Sequence, residues 1–496
     1  MTDLTFNFAR STQKMMLTLA DVLEGVGGPR LEMLANLRVH GVSIDSREVL
    51  RDDVFIAFKG ERVDGHNYVG HALGRGAAAV LVESDIDLAK LADSNATLLD
   101  VRQPITISDK VIRTPLVIRV YETARALQKL ALYWRNRHPQ VRVIGVTGSV
   151  GKTSTKELIA QVLSERYQTL KSEGNQNNDI GVPLTLLRLT DTHERAVLEM
   201  GMDRLGEITS YCEWAKPIVG VVTNVGPVHL EKLGSIENIA LAKSELVEAI
   251  PRTGVVILND DDERVRAMRK VSQARMISYG LSARADVWAD EIASYGLDGM
   301  TFQLHYRTES HFVRLPLLGQ HSVQTALRAA AVGLAEGLSW DEIVAGLSRK
   351  SAEQVRLVVA KGPFDSLVLD DSYNASAEST LAALNVLKDI DEGPRVAVLG
   401  DMLELGNTEQ LAHEEVGCRA GIVADSVIGV GERARAICQA AIECGLSATR
   451  VFHVMSNAEA LRVLKQVIRG KCVILVKGSR GMQMEEIVEG LGEMKN

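Results

Sequence analysis

The chain has 496 residues, which exceeds one ordinary domain, so about two to four domains are expected. An apolar fraction of 46% and a charged fraction of 24% are typical of a globular protein with a large core. The net charge of −8 provides no general attraction for nucleic acid, and no run approaches the roughly eighteen apolar residues of a membrane span. Because residues 1–16 also lack the apolar segment of a signal peptide, we expect a cytoplasmic protein.

The five cysteines show no C-x-x-C spacing, and their odd number argues against a complete disulfide framework. We therefore expect them to be buried as small apolar residues rather than to include a catalytic thiol. They are Cys212, Cys418, Cys438, Cys444 and Cys472.

Residues 1–115 are predicted to form a first α/β unit, which begins with an extension at 1–14. A short helical pattern is followed by apolar runs that predict strands. Polar loops after these runs carry Ser46, Arg47 and Lys59. Such loops can hold a diphosphate or a sugar, and ordinary polar turns are an equally reasonable interpretation.

A glycine-rich segment follows an alternating apolar run at 141–146, and an amphipathic pattern comes after it. This order predicts a strand, a loop and a helix, which together can align backbone N–H groups on a polyphosphate. The loop residues expected to contact the phosphates are Thr147, Gly148, Ser149, Val150, Gly151, Lys152 and Thr153. The segment therefore predicts a nucleotide site.

This loop differs from the strict G-x-x-x-x-G-K-[ST] pattern, because Val146 stands where the first glycine is expected. Lys152 can place its ammonium group beside the β- and γ-phosphates, and the Thr153 hydroxyl can ligate Mg²⁺. The alternative is a glycine-rich turn with an incidental lysine. The strand and helix on either side favour the nucleotide site.

Three further residues of this central segment follow apolar strands or lie within a helix. Glu199 ends a strand, at the edge where ligands bind in parallel sheets, and can ligate Mg²⁺ or cap a helix. His229 also follows a strand and can be a ligand or a structural residue. Lys243 lies on the apolar side of a predicted helix, where it either extends to solvent or is altered in charge by burial.

After about residue 356 the pattern changes to four β-α alternations, which predict a separate doubly wound sheet. Its polar loops at 370–376, 400–404 and 477–481 fall at or just after the carboxyl ends of strands. That edge is where ligands bind in such sheets.

Several longer stretches are more specific than the phosphate loop. They are N-Q-N-N-D-I-G-V-P-L-T-L-L (175–187), E-M-G-M-D-R-L-G-E-I (199–208), P-V-H-L-E-K-L-G-S (227–235), D-D-S-Y-N-A-S (370–376), V-L-G-D-M-L-E-L-G (398–406) and K-G-S-R-G-M (477–482). Together with T-G-S-V-G-K-T they resemble the ATP-dependent Mur ligases of bacterial peptidoglycan synthesis. The resemblance extends from about Leu17 to the end of the chain.

The resemblance implies an α/β fold with three domains. These are a UDP-substrate-binding unit at 1–115, a central P-loop ATPase with a mostly parallel sheet at 116–350, and a Rossmann-like doubly wound domain at 351–496. It is greatest to the branch that joins D-alanyl-D-alanine to UDP-N-acetylmuramoyl-tripeptide through an acyl phosphate, a reaction of cell-wall synthesis. It implies ATP and two Mg²⁺ ions, two small-molecule substrates, no nucleic acid, no membrane insertion and a monomer.

The resemblance also assigns roles to individual residues. As Mg²⁺ ligands it implies Thr153, Glu199, His229 and, if carbamylated, Lys243. Around the nucleotide it adds Asn178, Arg356 and Asp371 to the phosphate loop. For the substrates it implies Ser46, Arg47, Lys59, Tyr373, Asn374, Lys477, Ser479 and Arg480. As catalytic residues it implies Lys152, Lys243, His229 and Glu199.

Two departures from the family pattern affect the nucleotide site. The family usually shows G-x-H-N-x-x-N, whereas Ser322 and Thr325 stand here in place of the asparagines, so the adenine or ribose contacts of the family are not carried over to these positions. The family also carries a G-R pair near the hinge, whereas this chain has Val355-Arg356, which keeps the arginine but not the glycine.

Other functions are considered beside this one. A sister Mur ligase or a folylpolyglutamate synthase-like ligase would use the same chemistry. The D-N-P-R motif of the diaminopimelate-adding ligase does not occur in this chain. A nucleotide-operated binding switch would hydrolyse ATP without forming an amide.

Overall fold

The structure is a computed structural model that describes residues 17–60, 63–88, 96–105, 112–228, 230–350 and 357–494. The described residues form three β-sheets, which are mostly parallel and alternate with helices along the chain. The predicted α/β class is therefore confirmed. None of the described helices is long and apolar enough to cross a membrane.

Contacts within the chain group it into two compact units. The first unit contains the residues up to Val143, Gln168–Leu198 and Ser210–Lys216. The second unit contains Ile144–Tyr167, Glu199–Thr209 and the residues from Pro217 onwards. The first sheet lies in the first unit, the third sheet lies in the second unit, and strands of the middle sheet belong to both. The domain boundaries near 115 and 350 stay predictions.

The first sheet is parallel. Its described strands are β1 (Val42–Ser43), β2 (Val54–Ile56), β3 (Ala79–Val82), β4 (Thr97–Asp100) and β5 (Leu116–Arg119), in the spatial order β1-β2-β3-β5-β4. The helices of this part of the chain are α1 (Leu19–Gly25), α2 (Val69–Gly74) and α3 (Thr123–Asn136). Phe55, Val80 and Val117 belong to a core on this sheet. Because β5 lies beyond residue 115, the sheet extends slightly past the predicted boundary.

The middle sheet contains the strand that leads into the phosphate loop. Its described strands are β6 (Arg142–Thr147), β7 (Thr169–Lys171), β8 (Arg195–Glu199), β9 (Val219–Val222), β10 (Val255–Asn259), β11 (Arg275–Gly280), β12 (Val287–Ser294), β13 (Met300–Tyr306) and β14 (Glu309–Leu315). The spatial order is β14-β13-β12-β11-β10-β9-β6-β8-β7. The pairs of β13 with β12 and β14 are antiparallel, so β12, β13 and β14 form an antiparallel extension of this sheet.

Helices connect these strands, and several begin at a polar cap. They are α4 (Lys152–Leu163), α5 (Gly181–Leu187), α6 (Glu207–Ala215), α7 (Leu230–Leu233), α8 (Ile236–Ala249), α9 (Glu263–Ala267), α10 (His321–Ala335) and α11 (Trp340–Ser348). Ser235 caps α8 and Asp262 caps α9 by accepting backbone hydrogen bonds from the first turn. The alanine-rich α10 packs against α4, and its residues from Thr325 to Gly333 are buried.

The third sheet confirms the predicted doubly wound arrangement. Its described strands are β15 (Val358–Lys361), β16 (Leu367–Asp371), β17 (Arg395–Gly400), β18 (Ser426–Val430), β19 (Val451–Val454) and β20 (Val473–Lys477), in the order β15-β16-β20-β17-β18-β19. The helices are α12 (Ala377–Asp389), α13 (Glu409–Val423), α14 (Ala434–Glu443), α15 (Asn457–Val467) and α16 (Glu485–Glu493). Alternate residues of β17 enter different cores, Leu399 in one and Val398 in the other, so both faces are covered.

The expectation that every cysteine is a buried apolar residue is wrong for two of the five. Cys418 of α13 and Cys444, which caps the end of α14, form a disulfide with a Cα–Cα distance of 5.1 Å. The two helices approach closely because Gly417 and Gly421 face α14, where a Cβ on either residue would meet its backbone carbonyl groups. The other three cysteines are free and buried, as expected.

Candidate active site

The loop between β6 and α4 depends on glycine at two positions. Gly148 has a φ of +149°, and a Cβ there would overlap the hydroxyl of Thr223. Gly151 has a φ of +84° and forms the N-terminal cap of α4. Both backbone conformations favour glycine over residues with a Cβ. The loop therefore brings backbone close to the positive end of a twelve-residue helix, where anions bind.

The segment after β9 holds this loop in place. Val150 N donates to Asn224 Oδ1 at 2.9 Å, and the Thr223 hydroxyl donates to Val150 O at 2.7 Å. Ser149 Oγ donates to Gly226 O at 3.0 Å, and Gly226 N donates back to Ser149 Oγ at 2.9 Å. The loop is thus fixed by a neighbouring strand end rather than by its own sequence alone.

Lys152 is the first residue of α4, and its side chain turns back over the loop. Its Nζ donates to Gly148 O at 2.8 Å and to Ser149 O at 3.1 Å. This places the ammonium group beside the loop backbone. A phosphate bound by the loop would therefore meet this charge as well as the N–H groups at the start of α4.

Glu199 lies at the carboxyl end of β8, beside the start of the same loop. The next residue, Met200, donates from its N to Val146 O at 2.8 Å and accepts from the Thr147 hydroxyl at 2.9 Å. Glu199 is only 2% exposed. The structure thus brings this carboxylate to the strand edge next to the loop, although the Thr147 hydroxyl is bonded to the Met200 carbonyl oxygen.

Lys243 of α8 is a lysine without an acidic partner among the described residues. It is only 2% exposed, and no carboxylate of the described chain forms an ion pair with it. Burial lowers the pKa of its amine well below the usual value, and the charge of Lys152 lowers it further. The amine is therefore shifted towards its neutral, nucleophilic form.

At the carboxyl edge of the third sheet, β16 and β20 are paired so that Asp371 lies opposite Lys477. The two side chains form a buried ion pair, and Lys477 Nζ also donates to Asn374 O at 2.9 Å. The Arg480 guanidinium lies 5.4 Å from the centre of the Tyr373 ring. Two loops far apart in sequence therefore form one polar cluster, as the strand-end pattern predicts.

Models of three Mur ligase domains match the chain. They are the Mur ligase family catalytic domain at 38–135, the Mur ligase middle domain at 146–333 and the Mur ligase glutamate ligase domain at 355–480. The UDP-N-acetylmuramoyl-tripeptide–D-alanyl-D-alanine ligase of Bacillus subtilis (strain 168) is 34% identical over 486 residues, covering 97% of this chain and 99% of the relative. The chain belongs to the Mur ligase family.

Other relatives are similar to this Mur ligase in sequence or structure over comparable lengths. The enzyme of the same name from Escherichia coli (strain K12) is 36% identical over 468 residues, covering 92% of this chain and 95% of the relative. A crystal structure of MurF from Acinetobacter baumannii has a TM-score of 0.81 at 32% identity, with 97% of this chain and 100% of that chain covered. MurF ligase from Thermotoga maritima, solved in complex with ADP, has a TM-score of 0.74 at 27% identity, with 91% and 97% covered.

Some predicted site residues of this Mur ligase have no described contacts. His229 and Arg356, with the neighbouring Val355, lie outside the described residues. Among the residues that the structure describes, no group of three or more His, Cys, Asp or Glu side chains is arranged to hold a metal ion. Because His229 is one of the predicted ligands, the metal set that contains it stays a prediction.

The predicted residues of the first unit have local contacts. Asn178 Oδ1 accepts from Gly181 N at 2.8 Å at the start of α5. Ser46 Oγ lies 3.0 Å from the His71 ring nitrogen Nδ1, and Arg47 pairs with Asp45 at 2.7 Å. The hydrogen bond from Arg47 lowers the pKa of Asp45. Lys59 is exposed. These residues lie in polar loops, and their substrate roles stay predictions.

The sequence analysis did not identify the residues that hydrogen-bond to the segment after β9, which in turn holds the phosphate loop of this Mur ligase in place. Asn259 Nδ2 donates to Thr223 O at 2.9 Å, and the Tyr279 hydroxyl donates to the same oxygen at 2.9 Å. Asp262 Oδ2 accepts from Val225 N at 2.8 Å. Burial raises the pKa of Tyr279 to about 12, so it remains a donor at neutral pH. The run of acids after β10 was a signal for Asp262, but no sequence signal identified Tyr279.

Proposed function

We propose that this chain is an ATP-dependent, ADP-forming ligase that joins D-alanyl-D-alanine to UDP-N-acetylmuramoyl-tripeptide. The observation that carries the proposal is a glycine loop with Lys152 over its backbone, at the start of α4, in a chain related to ligases of that name over almost its full length. The product is a UDP-N-acetylmuramoyl-pentapeptide, a precursor of peptidoglycan and so of the cell wall.

The reaction requires activation, because a carboxylate does not react with an amine in water at a useful rate. A carboxylate oxygen at the end of the tripeptide attacks the γ-phosphorus of ATP, which gives an acyl phosphate and ADP. The amine of D-alanyl-D-alanine then attacks the acyl carbon, the tetrahedral intermediate releases phosphate, and the nitrogen loses a proton as the amide forms. Lys152 and the N–H groups at the start of α4 stabilise the charge on the transferred phosphoryl oxygens.

Several described residues near the loop have the chemistry that a magnesium site requires. We propose Thr153, Glu199 and carbamylated Lys243 as ligands, since hydroxyl, carboxylate and carbamate oxygens suit this hard cation. His229 is proposed as a further ligand on the family resemblance alone. Bound Mg²⁺, as one ion or two, neutralises negative charge on the phosphates. Carbamylation is supported by burial of Lys243, because only a neutral amine adds to CO₂, with loss of a proton.

The remaining predicted residues are proposed for the substrates and nucleotide. Ser46, Arg47 and Lys59 are proposed to bind the UDP-sugar, because they lie in polar loops of the domain at 1–115. The cluster of Tyr373, Asn374, Lys477, Ser479 and Arg480 is proposed to bind the peptide substrates, with Asn178, Arg356 and Asp371 contacting the nucleotide. The three domains are proposed at 1–115, 116–350 and 351–496, in a cytoplasmic monomer.

The proposal is tested by phosphate release from ATP, measured together with the mass of the product. We expect release only when both UDP-N-acetylmuramoyl-tripeptide and D-alanyl-D-alanine are present, with one pentapeptide formed for each phosphate. The variant Lys152→Ala should lose at least about 100-fold in turnover while its circular dichroism spectrum and Tm are unchanged. A Lys152→Ala variant with a rate near that of the parent would contradict the role of this lysine.

The same assay separates the alternatives. A sister ligase or a folylpolyglutamate synthase-like enzyme would form an amide only with a different acceptor or amine. A nucleotide-operated switch would release phosphate without a stoichiometric amide product. Either result would replace the proposed reaction.

A further inference from the structure

Arg328 of α10 is a buried cation that has no role in the reaction described above. The residue is only 4% exposed. Its Nη2 donates to Thr325 Oγ1 at 2.8 Å, and its guanidinium carbon lies 5.5 Å from the centre of the Tyr279 ring. Tyr279 in turn donates to the strand end that supports the phosphate loop. These contacts hold the guanidinium in place without neutralising its charge.

Among the described residues, Arg328 has no direct anionic partner. Burial raises the pKa of the nearby Glu378 carboxyl overall, although the charge of Arg328 acts to lower it. No carboxylate of the described residues forms an ion pair with the guanidinium, and the buried Nε has no hydrogen-bond partner among them. Removing a charge from water without an opposite charge or a full set of hydrogen bonds is strongly unfavourable. An anion from outside the chain would therefore stabilise this arrangement.

The unpaired guanidinium faces the phosphate loop. A Cβ placed on Gly151 would lie 3.7 Å from Arg328 Nη2 and 3.8 Å from Nη1. Because Gly151 has no side chain and caps the N-terminus of α4, nothing on this residue separates the guanidinium from the loop backbone. The anion that the loop can bind is a polyphosphate, so the two features point to the same ligand.

The neighbouring positions explain why an arginine is used here. Ser322 and Thr325 occupy the positions at which the family resemblance implies asparagines. The Ser322 hydroxyl donates to Gly319 O at 2.7 Å, and the Thr325 hydroxyl accepts from Arg328. The Ser322 and Thr325 side chains are both shorter than an asparagine side chain. Arg328, one helical turn beyond Thr325, has both the length and the free donor.

We propose that Arg328 is a nucleotide-binding residue of this chain, whose guanidinium donates to a phosphate oxygen of the nucleotide held by the loop. The inference rests on the proposed ATP-dependent function. It adds to the loop and Lys152 a further cation from the opposite helix. Thr325 and Tyr279 orient that cation rather than contact the nucleotide.

Calorimetric titration with ADP in the presence of Mg²⁺ tests this assignment. The proteins compared are the parent, Arg328→Ala, Arg328→Gln and Arg328→Lys. Gln keeps a side chain that can bond to Thr325 and pack on Tyr279 but lacks the charge, whereas Lys keeps the charge. Arg166→Ala is the control, because Arg166 follows the far end of α4 and pairs with Glu342.

We expect the Kd for ADP to rise at least about tenfold in Arg328→Ala and Arg328→Gln, less in Arg328→Lys, and not in Arg166→Ala. Folding of each variant without nucleotide is checked by its Tm, and the Gln and Lys variants decide the question if the Ala variant does not fold. A folded Arg328→Gln variant with a Kd within about threefold of the parent value would overturn the inference. Failure of the parent itself to bind ADP would instead overturn the proposed function.

Discussion

At the scale of single residues, Gly148 shows how a loop conformation depends on a missing side chain. Its φ of +149° is rare for other residues, and the space beside it is taken by the Thr223 hydroxyl, which is bonded to Val150 O. An added Cβ would have to displace Thr223 and the bond that it makes. The loop geometry and its support would therefore change together.

We expect Gly148→Ala to lose most ATP-dependent phosphate release and to lower the free energy of unfolding by about 1–3 kcal/mol. Phosphate release and denaturant unfolding measure the two effects. The control is Gly337→Ala, since Gly337 has a φ of +80° but nothing within 4 Å of an added Cβ. That variant should lose about 1 kcal/mol and keep its activity. Equal phosphate release by Gly148→Ala and Gly337→Ala would show that the packing of Gly148 against Thr223 is not needed for activity.

Lys243 permits a second prediction at this scale. Burial lowers the pKa of its amine, with a further contribution from Lys152, so the neutral form that reacts with CO₂ is favoured. We expect phosphate release to fall in CO₂-depleted buffer and to recover when bicarbonate is added. Addition of the same concentration of chloride should not restore it. Activity that is independent of bicarbonate would argue against a carbamate on Lys243.

At the scale of secondary-structure elements, one buried carboxylate links α1 to α3. Asp21 in the first turn of α1 accepts from Arg30 at 2.8 Å, from Arg137 at 2.7 Å and from the Tyr133 hydroxyl at 3.1 Å. Burial by itself raises the pKa of Asp21, but hydrogen bonds from Thr18 and Arg30 outweigh it, so the pKa is lowered. The ionised form is thus the one that holds the two helices together.

A lowered pKa in the folded state gives this interaction a defined pH dependence. Near and below the unfolded pKa of 3.8, the unfolded chain binds more protons, so the contribution of Asp21 is complete above that value and is lost as the pH falls through the folded pKa. We expect Asp21→Asn to lower the free energy of unfolding by about 1–3 kcal/mol at pH 7, and by less at pH 3.

Urea unfolding of parent and variant between about pH 3 and pH 7 measures this difference. Glu32→Gln is the control, because Glu32 also pairs with Arg30 but its side chain is 84% exposed, and exposed pairs contribute little. A difference between parent and Asp21→Asn that does not change with pH would contradict the ionised role.

At the scale of the whole molecule, the proposed nucleotide site of the second unit collects side chains from distant parts of the sequence. The loop at 148–153 is supported by Thr223 and Asn224 from the end of β9 and by Asn259 from the end of β10. Parallel strands place their carboxyl ends at one edge, which is why these positions meet. Arg328 reaches the loop from a helix that follows the antiparallel extension.

Much of this organisation was predictable from local patterns. Apolar runs followed by glycine or polar residues indicated β6, β8, β16 and β20 with functional loops at their ends, and the structure has strands at these positions. The ion pair between Asp371 and Lys477 was not predicted, because it depends on β16 and β20 being neighbours in the sheet. The disulfide between Cys418 and Cys444 did not follow, because it depends on how closely α13 and α14 approach.

The α/β class, the strand–loop–helix unit that carries Lys152 and the positions of the polar loops could be predicted from local sequence patterns, because periodicity and glycine spacing act within about one element. Three features depend instead on how distant segments pack. Thr223 fills the space beside Gly148, Lys243 is buried away from solvent, and Arg328 faces Gly151. Burial and charge environment are properties of the neighbours that packing brings together, and those neighbours lie tens to hundreds of residues away in the chain.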